Sequence, residues 1–365
     1  MHATCTVFWV LISLISFGSM SLGSQLALKL IAGSGVPQNN GNSGPALTTN
    51  LGEPFGVELG PDGSLYITEV RNHRIWRFDP STQSLTAVVG CGRKGYAGDG
   101  GPAVEAELNE PYEVRFDGSG NMYFVEMQNH VIRRVDHQTQ RISTIAGTGQ
   151  PGFQGDGGSA VKALLRQPHS IALDAAGAIY VADIGNHRIR RIDPRTGVIE
   201  TIAGSSQRMM PQEGQVAQGN ALLGPRALYI QDETLWVALR EGHSVWKMDL
   251  KMGTLHHVAG TGMAGYSGDG GPAKRAQFNG PKGIAVDPDG NIFVADTENN
   301  AIRQIDAKSG NITTLIGPNQ QGAEEARASG VRAVSLLNRP HGICVGPKSS
   351  VYIGDTLNHR VWRTP

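Results

Sequence analysis

The segment EPFGVELGPDGSLYITEVRNHRIWRFD, residues 53–79, has the pattern of a strand, a glycine-containing turn, a strand, a polar turn and a third strand. The same pattern returns in QPHSIALDAAGAIYVADIGNHRIRRID, residues 167–193. Each copy opens with a proline before an apolar strand, and successive opening prolines are 56 to 59 residues apart: Pro54, Pro111, Pro168, Pro225, Pro281 and Pro340. A repeat of this length with several strands per unit predicts an all-β fold, a six-bladed β-propeller with four antiparallel strands per blade.

The ends of the repeat array predict how the ring closes. Units one to five each finish with an apolar fourth strand such as ISTIAG, residues 142–147, whereas unit six stops after three strands. The segment LALKLIAG, residues 26–33, has the missing pattern, so we expect it to complete the last blade and remove two open sheet edges. The predicted blades are 53–92, 110–149, 167–206, 224–262, 280–319, and 339–365 together with 26–33.

The first 23 residues do not fit the repeat. An apolar stretch of 11 residues, 7–17, precedes a small-residue site at 21–23, which resembles a secretory signal peptide and is too short to span a bilayer. We expect a signal peptide at 1–23, a single propeller domain at 24–365 and a secreted or periplasmic location; an uncleaved membrane anchor is the alternative. Cleavage would leave two cysteines, Cys91 and Cys344, which we expect to be unpaired.

Polar residues recur at fixed places in the repeat. An acidic residue ends the second strand, and Asn-His pairs follow in four units; we expect both to serve the turn between the second and third strands. Because these residues occur once per blade, they cannot converge on one metal ion. The linkers contain Gly-Asp-Gly-Gly three times, at 98–101, 155–158 and 268–271, as Gly-Asp-Gly-Gly-(Pro/Ser)-Ala. We expect a structural turn there, followed by a short helical turn with proline at its first position.

Function is best sought where the units differ. The residue after each opening proline begins the innermost strand, at one mouth of the central channel, and it varies around the ring: Phe55, Tyr112, His169, Arg226, Lys282 and His341. Glu53 and Glu110 precede the proline in the first two units, and Glu113 follows in the second. The pattern predicts a mouth that is negative over blades one and two and positive over blades four to six. A carboxylate or phosphate would bind at Arg226 and Lys282, although solvated charge variation is the alternative interpretation.

Residues 281–306, PKGIAVDPDGNIFVADTENNAIRQID, resemble the NHL repeat, and the resemblance extends over 26–365. The Gly-Asp-Gly-Gly linkers are similar to those of the teneurins and of secreted bacterial NHL-repeat proteins. The resemblance implies an interaction platform more often than an enzyme. It also implies an alternative, because His169 and His341 occupy positions similar to the zinc-binding Pro-His positions of the amidating-lyase propeller. Related lactonases bind calcium through channel acids, for which only Glu113 is a candidate here.

Two functional hypotheses therefore remain open. The first is an exported, monomeric platform that binds a protein, peptide or glycan partner through the linker-bearing face, with Tyr112, Glu113, His169, Arg226, Lys282 and His341 at the mouth. The second is a metal-dependent lyase or hydrolase that uses zinc or calcium at His169 and His341. Lys and Arg together number 32, as do Asp and Glu, so the formal net charge is zero. This balance predicts neither nucleic-acid nor membrane binding, and the first hypothesis favours no cofactor.

Overall fold

A computed structural model describes residues 28–318 and 336–365 as six antiparallel sheets in a ring, each with four main strands. Blade 1 contains Pro54–Leu59, Leu65–Glu69, Arg74–Asp79 and Ser84–Val89; blade 2 contains Pro111–Phe116, Met122–Glu126, Val131–Val135 and Ile142–Ala146. Blade 3 contains Pro168–Leu173, Ile179–Asp183, Arg188–Ile192 and Val198–Gly204; blade 4 contains Pro225–Gln231, Thr234–Leu239, Ser244–Asp249 and Thr254–Ala259. Blade 5 contains Gly283–Val286, Ile292–Asp296, Ala301–Ile305 and Ile312–Ile316; blade 6 contains Pro340–Val345, Val351–Asp355, Arg360–Arg363 and Lys29–Ala32. The predicted six-bladed propeller is confirmed.

Short elements complete the blades. Ser43–Pro45 and Gly158–Ser159 add a fifth strand to the outer edges of blades 1 and 3. Single 3₁₀ turns lie at Ala103–Glu105, Ala160–Lys162, Ile184–Asn186, Ala273–Arg275, Thr297–Asn299, Pro347–Ser349 and Thr356–Asn358. In the described ranges 28–318 and 336–365, no helix has the length and apolar character needed to cross a bilayer. The predicted signal peptide at 1–23 lies outside these ranges.

The ring closes as predicted. Lys29–Ala32 runs antiparallel to Arg360–Arg363, with Lys29 opposite Arg363 and Leu30 opposite Trp362. Ile31 and Ala32 are buried and pack in a cluster with Leu51 and Trp76 of the neighbouring blade 1 region. The closing strand therefore completes blade 6 and also contributes to the interface between blades 6 and 1.

Apolar side chains of adjacent first strands fill the space between blades. Val57, Ile171 and Ile284 are each at most 2% exposed, and side chains two residues apart lie on the same face of a strand. Leu59 and Leu173, two residues farther along their strands, are only partly buried and line the channel end opposite the predicted mouth. Each first strand therefore extends from one end of the channel to the other.

The repeated linkers are fastened to the blades by buried arginines. In blade 2, the fully buried Arg133 binds the linker residue Asp99 at 2.7 Å and the strand-ending Glu126 at 3.0 Å. Arg190 and Arg303 make the equivalent pairs in blades 3 and 5. The predicted linker helical turns are present, but Pro102 and Pro272 stand just before them and not at their first positions. The Gly-Asp-Gly-Gly linker is thus a structural clamp.

The Asn-His turn joins neighbouring blades. In blade 3, Asn186 Nδ2 donates to Asp183 and to the Gly152 carbonyl, while His187 adopts a left-handed conformation with φ of 55°. His187 Nδ1 accepts the Gly224 N–H of the next blade at 3.2 Å. His73, His130, His243 and His359 make the same interblade bond, and Asn300 Oδ1 replaces imidazole in blade 5. The turn therefore links adjacent blades, in addition to its predicted role between the second and third strands of one blade.

We predict that the closing strand contributes strongly to stability. Ile31→Ala should lower the free energy of unfolding by about 2–4 kcal/mol, because it removes apolar contacts and leaves a cavity in a close-packed interface. Lys29→Ala on the exposed face of the same strand is the control and should change it by about 0.5 kcal/mol or less. Urea unfolding measures both, and equal effects would contradict the described register.

We predict acid sensitivity from the five interblade imidazoles. Burial lowers the pKa of all five histidines below the unfolded value of about 6.5. In addition, an Nδ1 that accepts an N–H cannot be protonated without losing that bond. Their contribution is therefore present above about pH 6.5 and is lost as pH falls towards the folded-state pKa.

Replacing the five histidines by Asn, as at Asn300, should flatten the dependence of the urea midpoint on pH between 7 and 5. His137→Asn at an exposed turn position is the control. An unchanged pH dependence in the five-fold variant would refute the assignment.

Candidate functional site

The six residues that follow the opening prolines meet at one end of the channel. They line a single cavity of about 200 Å³, together with residues of the turns between second and third strands. Five of the six predicted contact residues lie there: Tyr112, His169, Arg226, Lys282 and His341. They converge because each first strand is the innermost strand of its blade and starts on the same face of the ring.

Four rings form an aromatic arc over blades 6, 1, 2 and 3. His341 stacks on Phe55 with ring centroids 4.0 Å apart, and Phe55 lies 4.5 Å from Tyr112. Tyr112 then meets His169 edge-on at 4.9 Å. Burial raises the pKa of Tyr112 to about 12, so its hydroxyl remains protonated at neutral pH. The arc supplies a wall of aromatic rings on one side of the mouth.

Arg226 occupies the mouth in an unusual state. Its side chain is almost fully buried, yet its guanidinium donates no hydrogen bond to any residue in 28–318 or 336–365. Its nearest carboxylate is Glu113, with Nη1 and Oε1 3.9 Å apart, and its guanidinium carbon lies 5.5 Å from the Tyr112 ring centre. Burial lowers the pKa of Arg226 to about 10, which leaves it charged at neutral pH. A guanidinium holds five N–H donors, so this group is available to an acceptor.

The rest of the positive arc is partly neutralised. Lys282 Nζ donates to Glu298 Oε1 at 2.7 Å, and Arg339 bonds the same oxygen at 2.6 Å. Burial lowers the pKa of Lys282 to about 8, although Glu298 opposes that shift. Arg240 pairs with Glu241. The predicted positive arc is present, but its neutralisation by Glu298 was missed. A comparison of the six units at the second position of the Asn-His turn would have singled out this residue. The other units have Arg71, Gln128, Gly185, Glu241 and Leu357 there.

Glu113 lies beneath the mouth and does not line the cavity. Its Oε2 accepts from Ser170 Oγ at 2.7 Å and pairs with Arg115 Nη2 at 3.1 Å. Arg115 also pairs with Glu58 at 3.4 Å. Glu58 and Arg115 line the opposite channel mouth, so four alternating charges, Glu58–Arg115–Glu113–Arg226, fill the channel from one end to the other. Glu113 thus lies 3.9 Å from Arg226 but below the residues that line the cavity, and its contact with a ligand stays a prediction.

The two mouth histidines do not fit a zinc or calcium site. His169 Nδ1 bonds the Gln167 carbonyl at 2.7 Å, and His341 Nδ1 bonds the Arg339 carbonyl at 2.9 Å. Burial, reinforced by the nearby Arg226 and Lys282 charges, lowers the pKa of both imidazoles well below 6.5. A neutral imidazole held through Nδ1 can still offer Nε2 to a metal, so the argument against a metal rests on the other residues present. No group of three or more potential ligands occurs within 28–318 and 336–365, and the two cations oppose a dication at this place. We therefore derive no metal chemistry from these residues.

Free cysteines are found at both predicted positions. Cys344 is buried in the first strand of blade 6, and Cys91 is partly exposed in a linker. Burial raises the pKa of the Cys344 thiol well above its ordinary value. The thiol is therefore protonated at neutral pH and is a poor nucleophile.

We predict that Glu113 is a structural counter-ion of the channel. Glu113→Ala should lower the free energy of unfolding by about 3 kcal/mol, because it leaves Arg115 and Arg226 buried next to each other without the carboxylate between them. Glu110→Ala is the matched control, since that carboxylate accepts only a 3.5 Å bond from Tyr112, and should cost about 0.5 kcal/mol or less. Urea unfolding at pH 7 compares them, and equal losses would contradict this role.

Comparison with known proteins agrees with the geometry. The teneurin NHL domain model matches residues 150–221 and 227–331, and the NHL repeat model matches 337–363, which together exceed half of the chain. Protein SUPPRESSOR OF QUENCHING 1 of Arabidopsis thaliana is 24% identical over 311 residues, covering 80% of this chain and 28% of that protein. NHL repeat-containing protein 2 of Homo sapiens is 26% identical over 328 residues, covering 81% of this chain and 44% of that protein.

The chain thus spans less than half the length of either relative. Among solved structures, an auxiliary nutrient binding protein from Bacteroides thetaiotaomicron superimposes with a TM-score of 0.64 at 15% identity, covering 93% of this chain and 76% of that one. At this identity the likeness concerns the fold alone. Taken with the repeat pattern and the six closed blades, these matches place the chain in the NHL-repeat family of six-bladed β-propellers.

Proposed function

We propose that this propeller is a binding platform whose channel mouth receives an anionic group, a carboxylate or phosphate, of a protein, peptide or glycan partner. One observation carries the proposal: Arg226 is 2% exposed and lines the mouth cavity, and its buried Nη1 has no hydrogen-bond partner within the described ranges 28–318 and 336–365. Leaving buried donors without acceptors costs free energy, and an oxyanion that binds two N–H groups of a guanidinium recovers it.

The shape of the site limits how a partner enters. The chain of charges from Arg226 to Glu58 fills the channel below the mouth, so a ligand cannot pass through the ring. The cavity of about 200 Å³ holds only a small terminal group. In this proposal the acidic end of a ligand lies on Arg226 and Lys282, and the adjoining atoms lie against the Phe55 and Tyr112 rings.

The surrounding face provides the platform. The turns between second and third strands lie around the mouth, and buried arginines in blades 2, 3 and 5 clamp the adjoining linkers, so this part of the rim is rigid and loses little entropy on binding. A binding role is also in the name of the nutrient-binding structure that shares the fold. Export is part of the same proposal, since it rests on the apolar segment at 7–17.

We predict that benzoate, as a probe of the mouth, binds more tightly than its neutral analogue benzamide. Benzoate presents a carboxylate to Arg226 and a ring to the aromatic arc. Arg226→Gln should weaken benzoate binding by about tenfold or more, the loss expected for one charge-assisted contact, and should leave benzamide binding unchanged. Arg195→Gln at an exposed turn of blade 3 is the control. Titration calorimetry or NMR measures the affinities.

The pH dependence gives a second arm of this experiment. Because the pKa of Lys282 is about 8, benzoate binding should weaken as pH rises from 7 to 9, and Lys282→Arg should remove that loss. Raised salt should weaken binding as well. Equal affinities for benzoate and benzamide, or benzoate binding that is indifferent to Arg226→Gln, would overturn the proposed function.

A further inference from the structure

We infer that Glu113 is an internal competitor for the ligand anion at Arg226, and that Ser170, Arg115 and Glu58 set the strength of this competition from inside the channel. The inference rests on the proposed function, because it concerns the affinity of the same mouth. It assigns positioning roles to residues that make no contact with the mouth cavity.

The two oxygens of Glu113 are in different situations. Oε2 is held by Ser170 Oγ at 2.7 Å and by Arg115 Nη2 at 3.1 Å. Oε1 faces Arg226 Nη1 at 3.9 Å, which is beyond hydrogen-bond distance. Ser170 and Arg115 therefore hold the carboxylate just short of Arg226. A small movement of Glu113 would bring Oε1 within hydrogen-bond distance of Arg226. Arg226 would then bind an incoming anion less tightly.

Ser170 is itself fixed by the backbone. Its Oγ accepts the Leu228 N–H at 3.0 Å and so can donate its own proton to Glu113. This bond crosses from blade 3 to blade 4 and orients the hydroxyl without any net charge. Removing the Ser170 hydroxyl takes one hydrogen bond away from the Glu113 carboxylate but changes no charge in the channel.

Glu58 acts at the far end of the chain. Its Oε2 lies 3.4 Å from Arg115 Nη1, so Glu58 and Glu113 share one guanidinium. Without the Glu58 charge, Arg115 would attract Glu113 more strongly and keep it farther from Arg226. A second acid, Asp117, lines the same far mouth but bonds Asn121 and Tyr123, and it has no ion pair with Arg115 within the described ranges 28–318 and 336–365. Asp117 thus provides a matched comparison of equal charge.

The expected effects on benzoate affinity have opposite signs. Ser170→Ala should weaken binding about threefold or more, because Glu113 then turns to Arg226, although no charge has changed. Glu58→Gln should strengthen binding about threefold, and Asp117→Asn should leave it within about 1.5-fold. Ser244→Ala, at a buried serine in the third strand of blade 4, controls for the loss of a buried hydroxyl.

A double-mutant cycle tests whether Glu58 acts on Glu113 through Arg115. Glu58→Gln should lose its effect when Arg115 is replaced by Met, since Arg115 is the link between the two acids. If Arg115→Met does not fold, Ser170→Ala and the comparison of Glu58→Gln with Asp117→Asn decide the question. Benzoate binding that depends on Arg226 but is unaltered by Ser170→Ala, or equally altered by the Glu58 and Asp117 changes, would overturn this inference alone. Absence of benzoate binding to the unmodified protein would overturn the proposed function.

Discussion

The pairing of Lys29–Ala32 with Arg360–Arg363 is the constraint on which the binding mouth depends. Each blade contributes one residue to the mouth, so the site exists only when the ring is closed. The contact of Phe55 with His341 shows this directly, because the two rings come from the first and last units and stack at 4.0 Å. Thr356 Oγ1 adds a bond to the Pro54 carbonyl across the same junction at 2.8 Å. The closing strand therefore stabilises the same blade junction at which the aromatic arc forms.

The internal comparison of six units explains why two kinds of blade occur. Where the linker carries Asp, the third strand carries a buried Arg that bridges it to the strand-ending acid, as Arg190 does. Blades 1, 4 and 6 instead have Trp76, Trp246 and Trp362 at that position. Trp76 and Trp362 satisfy the acid through Nε1, at 2.7 and 2.9 Å, without requiring a second carboxylate. A fully buried Arg in place of Trp brings a charge that the strand-ending acid shares with the linker Asp, so Arg and linker Asp occur together. The acid was expected from the sequence to serve the turn between the second and third strands, but its coupling to Arg and linker Asp, visible in units two, three and five, was missed.

The mouth was predictable to the extent that the repeat is regular. The residue after each opening proline could be placed because position within a repeat determines position in the ring. The position of Glu113 below the rim could not be read from the repeat, because the equivalent residues of the other units carry no carboxylate: Gly56, Ser170, Ala227, Gly283 and Gly342. The pairing of Lys282 with Glu298 was likewise hidden, because it depends on side-chain reach between a strand and a turn.

Blade 4 differs from the other blades both in the residue that ends its second strand and in the arginine that it places at the mouth. In the other five blades, the second strand ends in a buried acid that accepts a backbone N–H just before the opening proline, as Asp183 does from Arg166. Blade 4 has Leu239 there, opposite Pro225, next to Arg226. In the other blades this acid bonds the turn and the third strand, as Asp183 bonds Asn186 and Arg190, so its loss in blade 4 does not by itself concern Arg226. Glu113 of blade 2 is the remaining acid near it, and Ser170 and Arg115 hold it at 3.9 Å. The unsatisfied cation at the mouth therefore follows from the way Ser170 and Arg115 hold the Glu113 carboxylate.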